Sequence, residues 1–269
     1  MAGQERMKSV LMSLVGLAAL VYLGLCVLLW LGQRQMLFLS QGTQVAIAQT
    51  DFALSREGVT LRGWRIHPGQ SRALIYFGGN AESVQLQRER FAGWFPQHTI
   101  YLLAYRGYGA SEGSPDEAAL KADALALYDT VAPEHQQIDV IGRSVGSGVA
   151  LHLAARRAVA HLALITPYDS LVEVAAQHYP WVPVRLLMSQ RFEALPDAAR
   201  VTAPTLLLIA RLDEVIPPAR AQVLAKAFAQ TPQVQWLDTD HNTVEMDANF
   251  PLSLRQFMSE AAPEAISAD

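Results

Sequence analysis

The amino-acid sequence predicts an α/β domain on a mostly parallel, eight-stranded sheet with helices on both faces, joined to one N-terminal transmembrane helix. Three observations carry this. Val10 to Leu31 reads VLMSLVGLAALVYLGLCVLLWL, 22 residues without a charge. Beyond it, short runs rich in β-branched and aromatic residues recur at Ala73–Phe77, Thr99–Tyr105, Ile138–Ile141, Leu162–Thr166, Thr205–Ala210 and Val234–Leu237. Between them lie longer segments with helical spacing, and short apolar strands alternating with helices build parallel sheets covered on both sides.

Taken in order, the uncharged run forms a helix about 33 Å long at 1.5 Å per residue, enough to cross a hydrocarbon core of about 30 Å. A secretory h-region is shorter and ends at small residues of the A-x-A kind. Here the run ends Trp30-Leu31-Gly32-Gln33-Arg34, without such a site. An uncleaved signal-anchor over residues 10–32 follows, with residues 1–9 as a cytoplasmic tail. Cys26 follows Leu25, where a lipoprotein site would need a small residue, so it reads as a small apolar side chain in lipid. Arg6 and Lys8 precede the span and only Arg34 closely follows it. The positive-inside rule then puts the rest of the chain outside, on the periplasmic side of a bacterial inner membrane.

Asp51–Ser55 and Val59–Ile66 flank Arg56-Glu57-Gly58 and read as an antiparallel hairpin at one edge of the sheet. Helices are expected over Glu82–Trp94, Pro115–Val131, Val145–Ala155, Pro218–Gln230 and Thr243–Ser259. The domain is expected to occupy 35–260, followed by a flexible tail over 261–269. Nearly forty residues separate Thr166 from Thr205, and Trp181, Val184 and Leu187 in that interval offer apolar surface. A small cap over about 171–199 is therefore expected.

Composition narrows the function. A net charge of −4 with 17% charged residues leaves no basic footprint for nucleic acid. One cysteine permits no internal disulfide framework, and no His or carboxylate cluster has metal-ligand spacing, so neither metal nor cofactor is expected.

Gly142-Arg143-Ser144-Val145-Gly146 follows the strand Ile138–Ile141 and opens a helix. A G-x-S-x-G pattern in that context puts a serine on a sharp, strained turn with glycines leaving room for neighbouring chain. The helix N-terminus presents the N–H of Val145 toward developing negative charge. A serine hydroxyl needs a base. Of seven histidines, His241 lies just past the last strand, where open α/β sheets build their sites. The other six (His67, His98, His135, His152, His161, His178) read as surface or hydrogen-bonding histidines. Asp213 follows the strand Thr205–Ala210 and is the expected orienting acid, with Glu214, Asp238, Asp240 and Asp169 as competitors. The turn Gly78-Gly79-Asn80-Ala81-Glu82 offers a second oxyanion donor, the N–H of Asn80.

Phe77-Gly78-Gly79-Asn80-Ala81-Glu82 resembles the Phe-His-Gly-Asn-Ala turn of α/β-hydrolase superfamily serine hydrolases. Tyr105-Arg106-Gly107-Tyr108-Gly109-Ala110-Ser111-Glu112-Gly113 resembles their loop after the fourth strand. Thr166-Pro167-Tyr168-Asp169-Ser170 and the surroundings of Asp213 and His241 match as well, and the order Ser, Asp, His is that of the superfamily. It includes membrane-attached abhydrolase-domain proteins, some of them protein depalmitoylases. Gly78 stands where a histidine is usual, and Ala210 where a glycine is frequent. The resemblance implies the α/β-hydrolase fold and hydrolysis of a carboxylic ester or thioester, small-molecule or lipid-linked, through an acyl-Ser144 intermediate. The alternatives are an acyltransferase or a non-catalytic membrane-tethered scaffold. Epoxide hydrolase chemistry is disfavoured, since it needs Asp at the elbow.

Overall fold

The structure, a computed structural model, describes residues 2–260; the tail expected over 261–269 lies outside the described residues. The first helix, α1, runs from Ala2 to Leu37, longer than the uncharged run at both ends. No proline interrupts the flanks, and a Lys8–Glu5 pair at 3.4 Å supports the first turns. At 36 residues it is about 54 Å long. It is long and apolar enough to cross a membrane.

Eight strands follow: β1 Phe52–Arg56, β2 Val59–Ile66, β3 Arg72–Phe77, β4 His98–Leu103, β5 Gln137–Arg143, β6 Leu162–Ile165, β7 Thr205–Ala210 and β8 Gln233–Leu237. They form one sheet in the order β1-β2-β4-β3-β5-β6-β7-β8. β1 pairs with β2, and β2 with β4, antiparallel; every other pairing is parallel. The β1–β2 hairpin closes with Glu57 and Gly58 both at positive φ (52° and 75°), the twist-compatible conformation for a two-residue turn. The side chains of β4, β6 and β7 are buried on both faces, as central parallel strands require.

The remaining helices are α2 Arg88–Trp94, α3 Glu117–Val131, α4 Val145–Ala154, α5 Leu171–His178, α6 Val184–Leu187, α7 Leu195–Ala198, α8 Pro218–Ala225 and α9 Asn249–Ser259. The β3–α2–β4 crossover steps toward β1 and the later ones toward β8. With right-handed connections this puts α2 on the face opposite α3 and α4. Accordingly α3 packs on α4, while Trp94 of α2 stacks edge-on against Phe250 of α9 at 5.8 Å.

Several helix ends differ from expectation for local reasons. The segment expected to be helical from Glu82 starts as a turn, because the Glu82 carboxylate accepts the Gly79 N–H at 2.8 Å; the α-helix begins only at Arg88. α3 starts at Glu117 because Asp116 caps it, accepting from the Ala119 N–H at 2.8 Å. α9 starts at Asn249, whose N–H the Asp247 carboxylate accepts, and Pro251 fits its first turn, where no N–H is needed. α8 ends at Ala225, five residues short of the expected Gln230.

The interval between β6 and β7 holds α5, α6 and α7, and α5 packs on α6. One face of α1 docks against these segments. Tyr22 Oη donates to the Trp181 carbonyl at 2.8 Å, and the Gln33 amide donates to the Leu187 carbonyl and accepts from the Ser189 N–H. Cys26, four residues on from Tyr22, is 7% exposed, so it is buried on this face instead of facing lipid. Past α1, Phe38 is buried beside Phe192, and the Leu39 N–H donates to the Asn80 carbonyl.

Candidate active site

Ser144 stands between β5 and α4 at φ 51°, ψ −120°, a conformation that costs of order 1–3 kcal/mol for a side chain with a Cβ. The surrounding bonds hold it there. Its N–H donates to the Ile165 carbonyl at 2.9 Å, and its carbonyl accepts from the N–H and hydroxyl of Ser147 at 2.9 and 2.6 Å. The helix behind it runs so close to β3 that a Cβ on Gly146 would overlap the carbonyl oxygens of Phe77 and Gly78. Only glycine fits at that crossing.

His241 lies in the loop after β8. Asp240 accepts from the N–H groups of Asn242 and Thr243 at 2.8 and 2.9 Å, folding the loop tightly around the imidazole. His241 Nε2 lies 3.0 Å from Ser144 Oγ, and its Nδ1 lies 2.7 Å from Asp213 Oδ2. The other Asp213 oxygen accepts from the backbone N–H groups of Val215 and Ile216 at 2.9 and 2.7 Å, so the carboxylate cannot rotate freely. Asp213 and His241 are buried, while Ser144 is partly open to a cavity of about 530 Å³.

None of the competing acids hydrogen-bonds the imidazole among the described residues. Asp169 is buried against Arg220 at 3.2 Å, and burial pushes its carboxyl above the ordinary range. Asp238 pairs with Arg211, and Glu214 and Asp240 are exposed. Among the other histidines, His98 and His161 contact Asp139, His152 contacts Asp197 and His135 contacts Tyr101. His178 contacts the Val215 carbonyl, and the His67 side chain has no such contact among the described residues.

Asn80 and Val145 both line the cavity beside Ser144, and neither N–H engages an acceptor among the described residues. The turn carrying Asn80 is braced from three sides. Its carbonyl accepts from Tyr108 Oη, its side chain donates to the Leu37 carbonyl at 3.0 Å, and Tyr105 Oη donates to the Gly78 carbonyl at 2.9 Å. Arg106 is absorbed by a two-pronged pair with Asp123 at 2.7 and 2.8 Å and does not line the cavity.

Sequence reasoning missed two side chains here. Glu82, besides accepting the Gly79 N–H, accepts from Tyr76 Oη at 2.7 Å and Gln87 at 2.9 Å. Arg143, the residue before the serine, lies within 3.8 Å of Glu82 and 3.4 Å of Glu245. The signal for Glu82 was its place three residues after Gly79, the spacing at which a carboxylate reaches back to a turn N–H.

No family model matches the chain. It is similar to an uncharacterized protein of Mycobacterium tuberculosis, 32% identical over 219 residues that cover 77% of this chain and 78% of that one. It is also similar to the human alpha/beta hydrolase domain-containing protein 17B, 28% identical over 206 residues that cover 73% and 69%. Among solved structures, a Pyrococcus furiosus esterase superposes with a TM-score of 0.64 at 18% identity, over 79% of this chain and 92% of that one. An enol-lactonase from Burkholderia xenovorans does so with a TM-score of 0.63 at 18% identity, over 78% and 100%. The strand order, the strained serine at the end of β5 and these relatives agree, and the chain belongs to the α/β-hydrolase superfamily.

Proposed function

We propose that the protein is a membrane-anchored serine hydrolase that cleaves carboxylic esters or thioesters through an acyl-Ser144 intermediate. The observation that carries this is the hydrogen-bonded line Asp213–His241–Ser144 ending at a cavity beside two unengaged backbone N–H groups.

In the proposed reaction, His241 Nε2 takes the Ser144 hydroxyl proton as Oγ attacks the substrate carbonyl. Asp213 accepts from Nδ1–H, which fixes the tautomer and stabilises the imidazolium. The carbonyl oxygen becomes an oxyanion, and the N–H groups of Asn80 and Val145 are its proposed donors. Collapse of the tetrahedral adduct breaks the bond to the leaving oxygen or sulfur, which takes the proton from His241. Water, deprotonated by the same imidazole, then attacks the acyl-serine, and free acid leaves as Ser144 regains its proton. The reaction draws on side chains and backbone amides alone. An acyl acceptor other than water would make the same site a transferase.

The anchor is α1, with the catalytic domain on the periplasmic side by the charge imbalance around the span. Protection of a cysteine introduced near the C-terminus from labelling in intact spheroplasts would overturn that orientation.

The test of the chemistry is a fluorophosphonate probe applied to the full-length protein beside Ser144→Ala. Labelling of the unaltered protein alone is expected. Absence of labelling in protein shown to be folded would favour the non-catalytic scaffold.

A further inference from the structure

Next to the Ser144 cavity lies a second hollow of about 280 Å³, formed jointly by α1 and the cap. Leu29, Trp30 and Met36 of α1 form one wall, and Trp181, Val184 and Leu187 of the cap form the other. The two hollows adjoin, with Leu37, Ala175, Tyr179 and Met188 lining both. Gln33 is the polar side chain in the groove, and its amide is spent on the Trp30 and Leu187 carbonyls and on the N–H and hydroxyl of Ser189. Adjoining apolar hollows thus mark a path from the Ser144 cavity toward α1.

The far end of that path lies at a depth set by one contact. Tyr22, whose hydroxyl binds the Trp181 carbonyl, stands nine residues, about 13 Å, before the end of the apolar run at Leu31. If α1 spans a bilayer over that run, the tip of the cap lies beside the membrane segment and not above it. The tip is built for such a place. Tyr179 and Trp181 are 48% and 57% exposed, and Leu186 is more exposed still, beside the 52% exposed Trp30. Exposed apolar side chains grouped in this way are what a surface in contact with lipid presents.

We propose that the groove between α1 and the cap is the acyl-binding subsite, and that it admits one long acyl chain directly from the bilayer to Ser144. The substrate class is then a long-chain acyl ester or thioester resident in the membrane. This rests on the serine-hydrolase reading above. The groove takes the hydrocarbon tail, the junction at Leu37 and Met188 passes it, and the scissile carbonyl stops at Ser144 between the Asn80 and Val145 N–H groups. A chain passing from lipid into this groove exchanges one apolar medium for another, so fit along the walls, not escape from water, sets the chain-length preference.

The experiment uses the full-length protein in phosphatidylcholine nanodiscs with ethyl, octyl and dodecyl fluorophosphonates, the last also made with a terminal diazirine. Ser144 Oγ displaces fluoride, so the labelling rate reads chain preference and the diazirine reports where the tail lies. Expected are a rate rising roughly tenfold or more from ethyl to dodecyl, and photo-crosslinks within residues 29–37 and 181–188. Leu187→Trp is expected to cut the dodecyl-to-ethyl ratio roughly tenfold; the crosslinks in the unaltered protein decide the matter even if this variant folds poorly. Ethyl labelling without chain-length preference, or crosslinks elsewhere in the domain, would overturn the subsite and leave the serine hydrolase standing. Labelling of Ser144 by none of the probes would sink both. Acyl-labelled phospholipid and an S-acylated peptide, supplied in separate nanodiscs, distinguish the source of the chain. Release of label from either supports the subsite, and release from neither counts against it.

Discussion

Replacing Asp213 by asparagine isolates the orienting role proposed for this carboxylate. Alanine would be a poor choice, because it would leave the buried Ile216 N–H and the Val215 N–H without their shared acceptor, at about 1–3 kcal/mol for a buried orphan donor. Asparagine is nearly isosteric, and those two N–H groups dictate how it sits. Its oxygen must take the Oδ1 place, since an NH₂ there would face two donors. The NH₂ is then turned toward His241 Nδ1, which lies 2.7 Å from Oδ2 in the native side chain. Facing a donor, the neutral imidazole must carry its proton on Nε2, where it can no longer accept from Ser144 Oγ. The like substitution in a serine protease costs about 10⁴ in kcat, or about 5 kcal/mol of transition-state stabilisation. Initial rates on a short-chain ester and the rate of fluorophosphonate labelling should both fall by about that factor, with the circular-dichroism melting curve little moved. Asp169→Asn, which removes a carboxylate bonded to Arg220 and the Ser170 N–H, should leave the labelling rate within a few-fold. A loss below tenfold for Asp213→Asn, or an equal loss for Asp169→Asn, would refute the assignment.

Glu82→Ala frees the Gly79 N–H, Tyr76 and Gln87 together and should lower kcat by roughly 10–100-fold, since about 1 Å of misplacement can cost 10²; a change confined to KM would show that the turn keeps its shape without the carboxylate. Gly146→Ala forces a methyl against the Phe77 and Gly78 carbonyls and should cost about 1–3 kcal/mol, read as a lowered thermal midpoint and reduced Ser144 labelling. Asp139→Asn should be more damaging to stability, about 3–5 kcal/mol in denaturant unfolding, because it strands Arg72 and two buried histidines. The same carboxylate sets a pH dependence. Burial pushes it upward, but hydrogen bonds from His161 and His98 and the Arg72 charge more than offset that, and it titrates below its ordinary 3.8. Its stabilising contribution is therefore complete above about pH 4 and is lost as the pH falls below that value, so acid unfolding of Asp139→Asn should be shallower than that of the unaltered protein.

Much of this architecture is legible in local sequence because its causes are local. The strands β3 to β8 announce themselves as apolar runs, and the elbow glycines at 142 and 146 are demanded by steric contacts that nothing but glycine survives. What stayed hidden depends on residues far apart in the chain. Arg72, His98, Asp139 and His161 each read as a polar residue at or near a strand start. Parallel pairing brings those starts together at one end of the central strands, where Asp139 is fully buried among three partners. The docking of α1 was equally invisible. A uniformly apolar helix has no periodic stripe to show which face meets protein, and Cys26, read as lipid-facing, turns out buried on the face shared by Tyr22 and Gln33.

The departure at Gly78 has a structural answer that the sequence alone does not give. Superfamily members usually carry histidine there, yet a Cβ at this position would come within 2.7 Å of Val84 Cγ1 and 3.2 Å of a Glu82 carboxylate oxygen. The space a side chain would occupy is thus taken by the neighbouring turn. Glu82 fills it and bonds the Gly79 N–H, holding the backbone that presents Asn80. That oxygen takes the Gly79 amide, while the N–H of the next residue, Asn80, has no acceptor among the described residues. The Glu82 carboxylate and a side chain at position 78 would crowd one another, and the proposed oxyanion turn depends on an acid that also faces Arg143, the residue before Ser144.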